Sequence, residues 1–154
     1  MKDFNVGILQ LPTTGDKDKN LNTMEEFVLI AKKKGADVIC LPEMWNCPYQ
    51  NSYFKKFSEE DFGKTYKKMS EVAKNNKIYL IGGSIPIKSG EKIYNRSYVF
   101  DKDGKEIYRY SKINLFDIED YKESNTISGG KSLGVFETEY GIFGLAICFD
   151  LRFP

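Results

Sequence analysis

Apolar residues recur along this chain with two different periods, and each change of period marks an element. "FNVGILQL" (4–11) is apolar, partly alternating and closed by Pro12, which predicts a buried strand. The polar stretch "TTGDKDKN" follows, with Asp16 or Asp18 available as a helix cap. Leu21, Met24, Phe27, Val28 and Ala31 then fall at helical spacing, forming one face of a helix that Gly35 ends. "DVICLPE" predicts a second short buried strand stopped by Pro42, so the front of the chain reads as a βαβ unit.

"MWNCPYQNSYFKKF" (44–57) is aromatic and irregular, and is expected to be a loop. Tyr66, Met69, Val72 and Ala73 mark a second helical face, which leads into the strand "IYLIGGSIP". "IYNRSYVFD" and "KEIYRYSK" predict two strands joined by a hairpin turn at Lys102-Asp103-Gly104. "INLFDIEDYKESNTISGGKS" (113–132) shows neither period and reads as a long loop, of a length that is often functional. "GVFETEYGIFGLAICFD" predicts two strands around Tyr140-Gly141, the second running from Ile142 to Ile147 and delivering Cys148. The expected class is α/β in front with β-hairpins behind, forming one domain or part of one.

Composition narrows the function more than the fold. With 154 residues, 41% apolar and 29% charged, the chain has the make-up of a globular protein. A net charge of +1 gives no reason to expect nucleic acid or an anionic membrane surface as partner. No apolar run approaches the roughly 20 residues of a membrane helix, and the start lacks the marks of a signal peptide. Three irregularly spaced cysteines argue against a disulfide framework and for a reducing, cytoplasmic setting. Histidine is absent altogether, so Ser-His-Asp or Cys-His machinery and histidine-ligated metal sites cannot be built from this chain.

A nucleophile here must therefore be served by a carboxylate or a lysine. Cys148 is the candidate, because it stands where a strand runs out among Asp150 and Arg152; Cys40 and Cys47 read as buried packing. Glu43 ends the strand "VICLP" at the carboxyl edge of a sheet, among apolar neighbours that would desolvate it and suit it to general-base work. Lys112 is the candidate cation for a developing oxyanion. Two glycine-rich stretches are set aside: "SGGKS" lacks the earlier glycine of a phosphate loop, and "IGGSIP" has no following helix for a dinucleotide site.

"LPEMW", "YSKINLFD", "YKESN" and "GLAICFDLRFP", in this order, resemble the nitrilase (carbon–nitrogen hydrolase) superfamily, and within it the omega-amidase branch. The resemblance implies an αββα sandwich, of which residues 1–154 supply roughly the N-terminal portion, ending just after the nucleophile. It implies Cys148 as nucleophile, Glu43 as general base, Lys112 as stabiliser of the tetrahedral intermediate and Glu123 as a second glutamate that positions substrate and lysine. Tyr49 and Arg152 are where a small anionic substrate would be met. Relatives usually carry histidine where this chain has Asn114. The implied reaction is hydrolysis of a small aliphatic amide, the omega-amide of a dicarboxylic 2-oxo acid, through a cysteine thioester. No metal or cofactor is expected. Expected partners are a second copy of the chain or a chain carrying the C-terminal half. The competing expectation is an inactive fragment that serves only in binding or assembly. Cys148 alone is expected to have strong thiolate character.

Overall fold

The computed structural model describes residues 3–153; Met1, Lys2 and Pro154, the last residue of the "GLAICFDLRFP" motif, lie outside the described residues. Strand β1 (Val6–Ile8) is shorter and less buried than its apolar run predicts, with Val6 53% and Ile8 79% exposed. It is the edge of the main sheet, where one face has cover and the alternate side chains have none. Asp16, rather than Asp18, caps α1 (Lys17–Lys33), its carboxylate accepting the Lys19 N–H at 3.1 Å. Leu21, Met24, Val28 and Ala31 form the buried face of α1. β2 (Val38–Cys40) pairs parallel with β1 and completes the βαβ unit.

The aromatic stretch expected to be a loop contains a helix, α2 (Asn51–Phe57). Gln50 gives it no side-chain cap, so no local start signal marks it. Burial of Phe54 and Phe57 holds this short helix instead, since tertiary packing rather than propensity stabilises a helix of this length. After β3 (Glu59–Glu60), α3 (Lys64–Asn76) buries Met69, Val72 and Ala73, as its spacing predicts.

β4 (Tyr79–Ile81) pairs parallel with β2, and Gly82-Gly83 then break the predicted strand before β5 (Ile85–Ser89). β5 pairs antiparallel with β6 (Lys92–Phe100), which also carries β7 (Glu106–Ser111) across the expected Gly104 turn. The resulting seven-stranded sheet runs β1-β2-β4-β6-β5-β3, with β7 beside β6. Within the long segment after β7, β8 (Asp117–Ile118) and β9 (Tyr121–Lys122) form a small hairpin, followed by a 3-10 turn at Glu123–Asn125. β10 (Gly134–Thr138) and β11 (Gly141–Leu145) form the final expected hairpin. β11 stops short of Ile147, and Cys148 opens a 3-10 turn, Cys148–Arg152.

Strand alternation sorts these elements into layers. Ile39 and Leu80 share one core cluster with Met24, Val28, Met69 and Val72 of the two long helices. Cys40 and Ile81, one residue on, line a cleft whose other wall is Gly144 to Cys148. The helices therefore cover one face of the sheet and the β10–β11 hairpin stands on the other. Outer hairpin residues Val135 and Ile142 remain exposed, Ile142 by 75%.

Candidate active site

Glu43 owes its place to the glycine pair set aside in the sequence. Gly83 has φ +56, and a Cβ there would come within 2.0 Å of the Pro42 carbonyl oxygen. The Ser84 N–H donates to that carbonyl at 3.1 Å, the Met44 N–H donates to Ser84 Oγ at 3.1 Å, and Trp45 Nε1 donates to Gly82 O at 2.9 Å. "GGS" is thus the seat on which the turn after β2 rests.

The second discarded motif does the same for Lys112. Its N–H donates to Asn95 O at 2.9 Å, and its carbonyl accepts the Gly130 N–H at 2.8 Å. A Cβ at Gly130 would meet Ser111 O at 2.1 Å, so only glycine allows this approach.

Anchored in this way, Lys112 Nζ donates to Glu43 Oε1 at 2.8 Å and to Glu123 Oε2 at 2.9 Å. Lys112 and Glu123 have no exposed surface at all. Burial by itself would pull the Lys112 ammonium down, but hydrogen bonds and charge from the two carboxylates outweigh it and hold the group above the usual lysine value. Lys112 is accordingly a fixed cation and not a base. Glu123 also accepts the Phe116 N–H at 2.8 Å on Oε2. The desolvated surroundings expected for Glu43 are replaced by donors: its Oε1 accepts from Lys112 and, at 2.8 Å, from Asn95 Nδ2.

Asn95 was not singled out by sequence reasoning. Its amide donates to Glu43 Oε1 and, at 3.0 Å, to Glu123 Oε1, bridging the two carboxylates beside the lysine. Turning the NH2 toward two anions leaves Asn95 Oδ1 buried without a partner among the described residues. The only trace in the sequence is a polar residue at a buried position of the strand "IYNRSYVFD".

Cys148 is exposed and adopts φ +48, a left-handed conformation uncommon for a residue with a Cβ. It lines one cleft with Glu43. The expected thiolate character is reversed: desolvation of the sulfur, then the negative charge of Glu43, raise the thiol above its ordinary range, and Lys112 only partly opposes them. The raised value favours the thiol over the thiolate at rest. Cys47 is buried and pushed up to about 12, and Cys40 is raised by burial.

Tyr49 lies against this cluster. Burial, followed by the charges of Glu43 and Glu123, holds its phenol well above the usual tyrosine value. Its ring is 5.9 Å from that of Tyr121, whose hydroxyl is buried without a partner among the described residues. Arg152 is not part of the cluster; it is exposed on the turn beyond Cys148, in a hollow shared with Phe116, Phe149 and Leu151. Among the described residues no group of three or more His, Cys, Asp or Glu side chains is placed to hold a metal ion. No described helix is long and apolar enough to cross a membrane.

The arrangement brings a thiol, a carboxylate that can take its proton and a fixed cation to one place. That combination suits acyl transfer, in which a nucleophile, a proton carrier and a charge for the oxyanion are needed together. Comparison with known proteins places the chain in a family. Residues 5–154 match the family described as carbon-nitrogen hydrolase. A Schizosaccharomyces pombe hydrolase is 44% identical over 158 residues, covering 98% of this chain and 49% of its own length. Mus musculus omega-amidase NIT2 is 42% identical, covering 99% of this chain and 57% of its own length. The crystal structure of Saccharomyces cerevisiae Nit3, of the nitrilase superfamily, superposes with a TM-score of 0.88 at 37% identity, covering 97% of this chain and 56% of that one. The chain spans about half the length of the curated relatives it matches.

Proposed function

The chain belongs to the carbon-nitrogen hydrolase family, with the α/β sandwich fold of the nitrilase superfamily and omega-amidases among its relatives, and on that premise we propose that it is the N-terminal portion of an amidase that works through Cys148. The observation that carries this reading is the meeting of Glu43, Lys112, Glu123 and Cys148 around one buried ammonium. Glu43 takes the thiol proton as sulfur attacks the amide carbon, and the oxygen of the tetrahedral intermediate takes its negative charge beside Lys112. Protonated Glu43 gives that proton to the departing nitrogen, which leaves as ammonia, and a thioester remains. Water, losing a proton to Glu43, attacks the thioester; the acid is released and the thiol recovers its proton. Glu123 keeps Lys112 charged and in place. Tyr49 at the edge of the cluster and Arg152, which shares a hollow with Cys148, are assigned to the distal carboxylate of a 2-oxo dicarboxylic monoamide. The test is ammonia release from 2-oxoglutaramate by the wild type and by Cys148→Ala; equal rates in the two overturn the reading.

One observation favours a second reading. Val6 and Ile8 on the edge strand and Val135 and Ile142 on the outer hairpin are all more than half exposed, and exposed apolar strand surface suits a contact face. On that reading the chain acts in assembly, with a second copy or a chain supplying the C-terminal half against these strands. Light scattering tests it: a compact, active monomer would exclude it.

A further inference from the structure

The left-handed conformation of Cys148 persists only if its surroundings impose it. The restraint comes from Asp150, which is buried. Its Oδ2 accepts the Ile147 N–H at 3.0 Å and the Tyr110 hydroxyl at 2.7 Å. Its Oδ1 accepts the Asn114 backbone N–H at 2.8 Å and the Asn114 Nδ2 at 3.1 Å. One carboxylate thus joins the turn that bears Cys148, the strand β7 and the segment just past Lys112. Burial would favour the neutral acid, but the donors outweigh it and hold the Asp150 carboxyl below the usual range.

We propose that Asp150 is a positioning residue that clamps the Cys148 turn to the strand carrying Lys112 and so places the thiol against Glu43. The inference rests on the reading of Cys148 as the nucleophile. Asp150 makes no contact with the reacting sulfur in this role; it acts through the backbone of Ile147. Two of its four donors come from Asn114, whose side chain does not titrate. The groups that face the thiol are Glu43, Lys112 and Glu123.

The test is the pH dependence of iodoacetamide alkylation at Cys148 in the full chain, read by peptide mass mapping, with buried Cys47 as the internal report of an intact fold. Asp150→Asn turns an NH2 toward the Ile147 N–H. Tyr110→Phe removes one donor, keeps the charge and serves as the milder variant if the first does not fold. Both should let the thiol drift from Glu43, so the midpoint falls toward the ordinary thiol value of about 8.5, further for Asp150→Asn than for Tyr110→Phe. Cys47 stays unlabelled. Profiles superimposable on the wild type overturn the proposal. Glu43→Gln separates the two layers of argument, because it should also lower the midpoint. If it leaves the profile unmoved, the thiol–carboxylate pair of the proposed function is overturned. If it lowers the midpoint while the clamp variants do not, only the role of Asp150 falls.

Discussion

Lys112 Nζ and Glu123 Oε2 are 2.9 Å apart, and neither side chain has any surface in contact with solvent. An ammonium so placed cannot be removed without leaving buried Glu123 and half-buried Glu43 as uncompensated like charges. Lys112→Met is expected to cost about 3–5 kcal/mol in urea denaturation at neutral pH, the range for breaking a buried pair. The sign with pH is fixed by the raised Lys112 value. A cation whose proton is held more tightly when folded contributes stability below the unfolded lysine value of about 10.4, and loses it as pH rises through the folded value. The wild type should therefore weaken more steeply than Lys112→Met in alkaline denaturation; parallel curves would refute the assignment.

Asn95 supplies one N–H to each carboxylate, so an apolar replacement leaves both short of a donor. Asn95→Leu should lower stability by about 1–3 kcal/mol. Asn95→Asp should be worse at neutral pH, because it sets a third carboxylate between two others. Its neutral form is favoured in the fold, so the deficit should shrink as pH falls toward the unfolded aspartate value of about 3.9. Denaturation of both variants at two pH values checks this, and a deficit that does not change with pH would contradict it.

Alkylation should rank the cysteines by access and by thiol acidity together. Cys148 is exposed, Cys40 half-buried and Cys47 buried with its thiol near 12, so the expected order is Cys148, Cys40, Cys47. Because Cys148 itself is raised, its labelling should still be climbing above pH 8.5 or so. A plateau already reached at pH 7 would show a resting thiolate instead.

Gly83→Ala should be severe. The added methyl would lie 2.0 Å from the Pro42 carbonyl oxygen, on a backbone that already requires positive φ. A loss of at least about 3 kcal/mol is expected, and any folded remainder should have Glu43 displaced. Gly90 is the control: it shares the positive φ but has nothing within 4 Å, so Gly90→Ala should cost only about 1–2 kcal/mol. Equal losses at the two positions would mean that the close approach at Pro42 contributes nothing.

Periodicity made most of the fold legible. α1 and α3 show their buried faces at helical spacing, and the Gly104 hairpin shows its turn. α2 was missed because burial of Phe54 and Phe57, not a cap or a period, holds it together. The exposure of β1 was missed for a related reason: an apolar run states what could be buried, whereas its position at the sheet edge decides what is. Of the candidate site, Glu43, Lys112 and Cys148 stand out from strand ends and from the absence of histidine, and Glu123 from resemblance.

The sequence by itself determined which chemical groups are available: one reachable thiol, carboxylates and lysines, and no imidazole. It also showed that neither glycine pair carries the usual phosphate-loop or dinucleotide pattern. Tertiary structure alone decided how these groups are charged and held. Lys112 keeps its proton because two carboxylates brought from other segments enclose it, and burial, followed by the charge of Glu43, raises the Cys148 thiol. The glycines, Asn95 and Asp150 become meaningful only through atoms roughly 2–3 Å away on other segments of the chain. Protonation and close contact depend on distance in space, and spacing along the chain does not encode that distance for residues joined by long loops.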